Sequence, residues 1–188
     1  MIAMALAGLV SCSSPDKKEN ALATSTSEET ADSLLITPGK SIGEVKLNDD
    51  LQALTNVLGK PDLSDAAMGG AAYTWFANHN EAGFRTSVYG HRNMGAADEN
   101  IVHIKKILIT DPAYKTADGI NTGLLADSIR KKYTLGDSSV YAIDGKPRSL
   151  YTDMLKGIAF EVDPLNKRCT AISIFAPRDT ASARINVY

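Results

Sequence analysis

From Leu34 onward the chain is broken at short intervals by turn residues, and this punctuation leaves it few folds. Seven runs carry strand chemistry: Ala71 to Ala77 (AAYTWFA), Gly83 to Tyr89 (GFRTSVY), Ile101 to Thr110 (IVHIKKILIT), Val140 to Ile143 (VYAI), Ser149 to Thr152 (SLYT), Gly157 to Val162 (GIAFEV) and Cys169 to Phe175 (CTAISIF). Asp144-Gly145-Lys146-Pro147 and Asp163-Pro164 supply tight turns between some of them, and polar or glycine-rich loops separate the rest. Connections this short join antiparallel neighbours, because a parallel crossover needs a dozen or more residues. The expectation is a meander of consecutive strands.

A helix signal precedes each group of runs. In VKLNDDLQALTNVLGKPD, Asn48 or Asp49 can cap a helix whose one face carries Leu51, Leu54, Val57 and Leu58, with Gly59 past its end and Pro61 beyond. A helix is predicted from about Asp49 to Leu58. In DGINTGLLADSIRKKYTLGD, Leu125, Ile129 and Tyr133 recur at helical spacing and Gly136 closes the unit. An offset of 75 residues brings Val45 onto Ile120, Leu54 onto Ile129 and Leu58 onto Tyr133. The fold class is therefore α+β: an antiparallel sheet with one short helix per half, in one domain (34–188) of two weakly similar tandem units (34–115 and 116–188).

The N-terminal region has a different character. MIAMALAGLVSCSS opens with an uncharged apolar run from Ile2 to Val10, long enough for a secretory h-region and about half of what spans a bilayer. Leu9-Val10-Ser11-Cys12 resembles the lipobox of bacterial lipoproteins, which implies removal of residues 1–11 and attachment of lipid to Cys12. The usual basic residue of such a leader is missing, so the true start is expected upstream of Met1. Residues 12–33 have no aromatic residue and cannot bury enough apolar surface to offset their ordering entropy. They read as a disordered tether, whose span would be about 25 Å. Acyl chains on Cys12 would contribute about 0.8 kcal/mol per buried methylene, so several chains give a lasting membrane attachment.

A wider resemblance rests on G-x-S-I-G-x-V-x-L from Gly39 to Leu47, L-x-x-L-x-x-x-L-G-x-P-D from Leu51 to Asp62, and T-x-D-G-I from Thr116 to Ile120. This pattern resembles bacterial lipoproteins with tandem helix-plus-sheet modules, akin to the β-lactamase-inhibitor-protein-like fold and to the small lipoprotein of the outer-membrane β-barrel assembly machinery. The resemblance implies a non-catalytic protein that binds another protein with its sheet or loops.

Sites for other chemistries do not assemble from these residues. Lys and Arg number 20 against 22 Asp and Glu, and the acidic leader and tether leave residues 34–188 at +1, so no basic surface favours nucleic acid. Gly39-Lys40-Ser41 would end a phosphate-binding loop, but the first glycine that such a loop needs is replaced by Leu34, and the polar tether stands where its buried strand belongs. No nucleotide is expected. Ser128-Ile129-Arg130-Lys131 matches Ser-x-x-Lys without the partner motifs of a penicillin-binding enzyme, and Ser128 falls within the second helix signal. His79, His91 and His103 lack metal-ligand spacing, and Asp118-Gly119 lacks the frame of a calcium loop, so neither metal nor cofactor is expected. Cys169 opens an alternating strand and is expected to be buried.

The functional expectation is a lipid-anchored protein of the cell envelope, on the cell membrane or outer membrane and facing the periplasm or cell surface. It would be non-catalytic and would bind or help assemble another envelope protein. The alternatives are a carrier of a small apolar ligand and a hydrolase. Strand parity places Phe84, Thr86 and Val88, with Ile158, Phe160 and Val162, beneath the helices. The opposite face then presents Arg85, Tyr89 and Glu161 as the candidate partner-binding residues.

Overall fold

The computed structural model describes residues 33–136, 139–143 and 145–187. The leader, the lipobox with Cys12, and the tether up to residue 32 lie outside the described residues. In chain order the strands are β1 (Leu35–Thr37), β2 (Ser41–Ile42), β3 (Val45–Lys46), β4 (Leu63–Ala67), β5 (Gly70–Phe76), β6 (Arg85–Arg92), β7 (Val102–Ile109), β8 (Lys115–Thr116), β9 (Ser139–Ile143), β10 (Lys146–Asp153), β11 (Ile158–Val162) and β12 (Cys169–Phe175). The helices are α1 (Leu51–Leu58), α2 (Ala126–Arg130) and α3 (Thr180–Arg184).

Eight strands form one sheet in the order β4-β5-β6-β7-β12-β11-β10-β9, and every pairing in it is antiparallel. Each half of the chain contributes four consecutive strands, and the halves meet where β7 pairs with β12, Ile109 opposite Ile172 and Ile107 opposite Ile174. A mostly antiparallel sheet with a few short helices is the α+β class that the sequence predicts. A second sheet, β3-β2-β1-β8, is formed by the short strands around the Gly-Lys-Ser step, with β8 parallel to β1.

Local chemistry accounts for the first helix. Asp50, one residue after the expected cap, accepts the Gln52 N–H at 2.9 Å, and Gly59 ends the helix at φ 79°. Trp75 on β5 donates its indole N–H to the Gly59 carbonyl at 2.9 Å, tying the helix end to the sheet. Leu51 and Leu54 are buried, and each contributes about 1.5–3 kcal/mol by leaving water. The second helix is shorter than its apolar spacing suggested. It stops at Arg130, and Tyr133 enters the core from the following turn, its ring 5.0 Å from that of Phe160.

Both of these helices and the small sheet cover one face of the large sheet. There Ile36, Ile42 and Val45 pack with Val88, Ile104, Ile107, Ile158, Phe160, Ile172 and Ile174 in the main core. Tyr73 and Trp75, which parity alone left unassigned, also face this core, edge to face at 6.0 Å. Phe84 does not: it precedes β6 and is 49% exposed, because the strand begins one residue later than its apolar alternation.

The opposite face differs from expectation, for this chain itself covers it. α3 and the residues after it lie across the sheet, with Val187 against Leu108 and Ala171, and Ala183 against Ala159 and Phe175. Asp179 caps α3 by accepting the N–H groups of Ala181 at 3.1 Å and Ser182 at 3.0 Å.

Candidate functional site

The three residues expected to share an open face occupy three environments. Arg85 is half-buried at the start of β6, where its backbone N–H donates to Thr110 Oγ1 at 2.8 Å. Tyr89 is half-buried beside Ile185 and Val187, so the C-terminal strap lies against it. Glu161 is only 3% exposed, opposite Leu150 on β10 and Ala171 on β12. Glu161 therefore does not stand on an open interface. Parity gave its side of the sheet correctly, but the cover comes from a segment with no strong periodic signal.

Under that strap lies a cavity of about 260 Å³ lined by Lys106, Tyr141, Leu150, Glu161 and Ile185 among others. Lys106 is 3% exposed and donates from Nζ to the carbonyls of Ala183 at 3.1 Å and Ile185 at 2.7 Å. Burial pushes its ammonium down to about 8, and the Glu161 carboxylate opposes that shift. Burial, and then the charge and hydrogen bond of Glu161, push the Tyr141 phenol far up, so it stays protonated. A lysine poised near neutrality in a cavity is a candidate nucleophile on general grounds. Here its nitrogen is committed to the last carbonyls of α3, so its evident work is to latch the strap.

The other chemical suspects are structural. Gly39 donates its N–H to the Gly157 carbonyl at 3.2 Å, and a side chain at Gly39 would meet Lys156 O at 2.9 Å. Ser41 opens β2 rather than a helix, so the Gly-Lys-Ser step is a packing turn. His79 pairs with Asp62 at 2.7 Å, His91 with its neighbouring carbonyl, and His103 with Asp98 at 2.8 Å and the Asn48 carbonyl at 2.9 Å. Among the described residues no three His, Cys, Asp or Glu side chains cluster as a metal site. Burial pushes the Cys169 thiol well up, and Glu161 adds to the effect, leaving an unreactive buried thiol that donates to Ala171 O.

The surface with unspent binding capacity is the first edge of the large sheet, which the sequence reading missed. All five residues of β4 are exposed, with Leu63 at 50%, and Met68 at the tip of the β4–β5 hairpin is 98% exposed. Met68 and Gly69 both have positive φ, as a two-residue hairpin turn requires. Beside the strand, on the α1 side, an open groove of about 440 Å³ is lined by Gln52, Thr55, Lys60, Pro61, Ser64 and Tyr73.

No family model and no curated protein matches the chain. Solved structures that align with it include two bacterial proteins. One is a cysteine-rich secretory protein from Staphylococcus aureus subsp. aureus Mu50, at 15% identity and a TM-score of 0.44, covering 77% of this chain and 50% of that one. The other is an extracellular protein containing a SCP domain from Bacillus anthracis str. Ames, at 10% identity and a TM-score of 0.41, covering 92% of this chain and 51% of that one. This chain thus spans about half the length of each. The resemblance to β-lactamase-inhibitor-protein-like modules and to the small lipoprotein of the barrel-assembly machinery is corrected by these matches, which are to secretory and extracellular proteins instead. It rested on glycine, leucine and proline placement, and Gly39, Gly43 and Gly59 sit at positive-φ turns that many α+β chains need.

Proposed function

We propose that this chain is a lipid-anchored, non-catalytic protein of the cell envelope that binds an extended segment of another envelope protein. The observation that carries the reading is the free outer edge of β4, where the large sheet ends on a strand with no neighbour and no cover among the described residues. An edge strand is a row of unpaired backbone donors and acceptors, and proteins recruit such edges to add a strand from a partner. Leu9-Val10-Ser11-Cys12 and the tether behind it support the anchoring half of the proposal.

The anchoring half is tested by Cys12→Ala, which is expected to move the chain from the membrane pellet to the soluble envelope fraction with its melting temperature unchanged. Unchanged partition into detergent would remove the anchor from the proposal. The binding half is tested by cross-linking in cells and mass spectrometry of the adducts of wild type, which should contain one recurrent envelope protein.

A further inference from the structure

We propose that the edge of β4 is selective for a segment in which a basic residue is followed by an acidic one, the acidic side chain entering the Lys60–Tyr73 groove and the basic one lying against Asp65. The inference rests on the protein-binding reading above and names the chemistry of that partner.

Backbone geometry fixes the register first. A two-residue turn at Met68-Gly69 makes Ala67 and Gly70 a hydrogen-bonded pair, so Leu63, Asp65 and Ala67 direct their N–H and C=O groups toward β5. Ser64 and Ala66 therefore direct theirs outward. A ninth strand, antiparallel like every other in the sheet, would form about four backbone hydrogen bonds with these two residues.

Side chains then set the preference. Ser64 lies opposite Tyr73, which packs toward the α1 side, whereas Asp65 lies opposite Ala72 and faces the other side. A partner residue opposite Ser64 would project beside the groove, where the Tyr73 hydroxyl and Gln52 already engage each other at 3.4 Å and Gln52 engages Thr55 at 3.2 Å. Lys60 is the charged group that lines this groove, and it has no hydrogen-bond or ion-pair partner among the described residues. A carboxylate fits there. The preceding partner residue lies opposite Asp65, which is likewise without an ion pair among the described residues, and a basic side chain fits there. The following one meets the half-exposed Leu63, which favours an apolar residue.

The test uses the full chain and a fluorescent peptide, Val-Thr-Lys-Glu-Val-Thr, against its charge-swapped twin Val-Thr-Glu-Lys-Val-Thr. Saturable shifts of the Ser64 and Ala66 amide resonances are expected, with about tenfold tighter binding of the first peptide, since the swap turns two cross-strand charge pairs from attractive to repulsive. Ala66→Pro removes only an outward N–H, which an edge strand tolerates, and should abolish the shifts at Ser64. Lys60→Glu combined with Asp65→Lys should reverse the preference and guards against misfolding of the proline variant. No saturable shift up to about 1 mM, or equal affinity for both peptides, overturns the proposal. If a cross-linked envelope partner is captured equally well by Ala66→Pro, the edge site fails while the protein-binding reading stands. If the peptides bind as expected and no envelope partner is captured, that reading fails instead.

Discussion

Replacing Gly157 by Ala should be among the most damaging small substitutions in the chain. Gly157 closes the turn between β10 and β11 at φ +69°, where an L side chain is strained by about 1–2 kcal/mol. A methyl group there would collide with the Phe175 carbonyl and would stand 3.0 Å from Pro177 N and 3.1 Å from Gly39 Cα, all of them backbone atoms that cannot swing aside. The Gly157 carbonyl also accepts the N–H of Gly39 at 3.2 Å and of Phe175 at 3.1 Å, so moving the turn weakens two hydrogen bonds of about 1 kcal/mol each. Together these cost about 3–4 kcal/mol, a large share of a typical domain stability of about 5–15 kcal/mol. The control is Gly119→Ala, which has a comparable φ of +78° but nothing within 4 Å of the new methyl group, so it should lose only the strain. In urea denaturation the two variants should differ by about 2 kcal/mol, and in melting temperature by about 4–8 °C. Equal losses would refute the claim that Gly39 and Gly157 are held by close packing.

Two further outcomes follow from the latch and the shared sheet. Lys106→Met should leave the Ala183 and Ile185 carbonyls unpaired, cost about 2–4 kcal/mol and speed amide exchange at Ala183 and Ile185; unaltered exchange there would contradict the latch. Because burial holds the folded-state lysine at about 8, below its unfolded value of 10.5, the charged form is disfavoured by folding. Wild-type stability should therefore gain, by up to about 3 kcal/mol, as pH rises from about 8 to 10.5, and a titration of Lys106→Met showing the same gain would assign it elsewhere. Residues 34–115 and 116–188, expressed apart, should each be poorly folded, since separating them exposes the buried Ile107, Ile109, Ile172 and Ile174 along the central β7–β12 pairing; two independent melting transitions of the intact chain would argue against this.

The parts of the fold that could be read from the sequence are those in which local chemistry and tertiary context agree. CTAISIF is a strand over the very residues its alternation marks, and LQALTNVL is a helix because a capping Asp, an apolar face and a terminal Gly all coincide. LSDAA was missed as a strand because it has neither β-branched nor aromatic residues; it is one because the Met68-Gly69 turn folds it back onto β5. TASAR was missed as a helix for a related reason. Its five residues carry no amphipathic face, and its last turn is held by Lys106, whose sequence separation from Ala183 is 77. That unread strap is why Glu161 was placed on an open face, and the unread strand is why the candidate site moved to the sheet edge. Parity tells which side of a sheet a residue takes, but what covers that side depends on residues distant in sequence.

The central claim is that β4 receives a partner strand, and a photo-crosslinking residue placed at Ala66 in cells addresses it most directly. Leu165, 86% exposed in the turn between β11 and β12, provides the control position. The account predicts an adduct from position 66 with one envelope protein, mapped by mass spectrometry to an extended segment bearing adjacent basic and acidic residues, and none from position 165. Equal adducts at both positions, or none at position 66 while the protein is folded and present in the envelope, would contradict it.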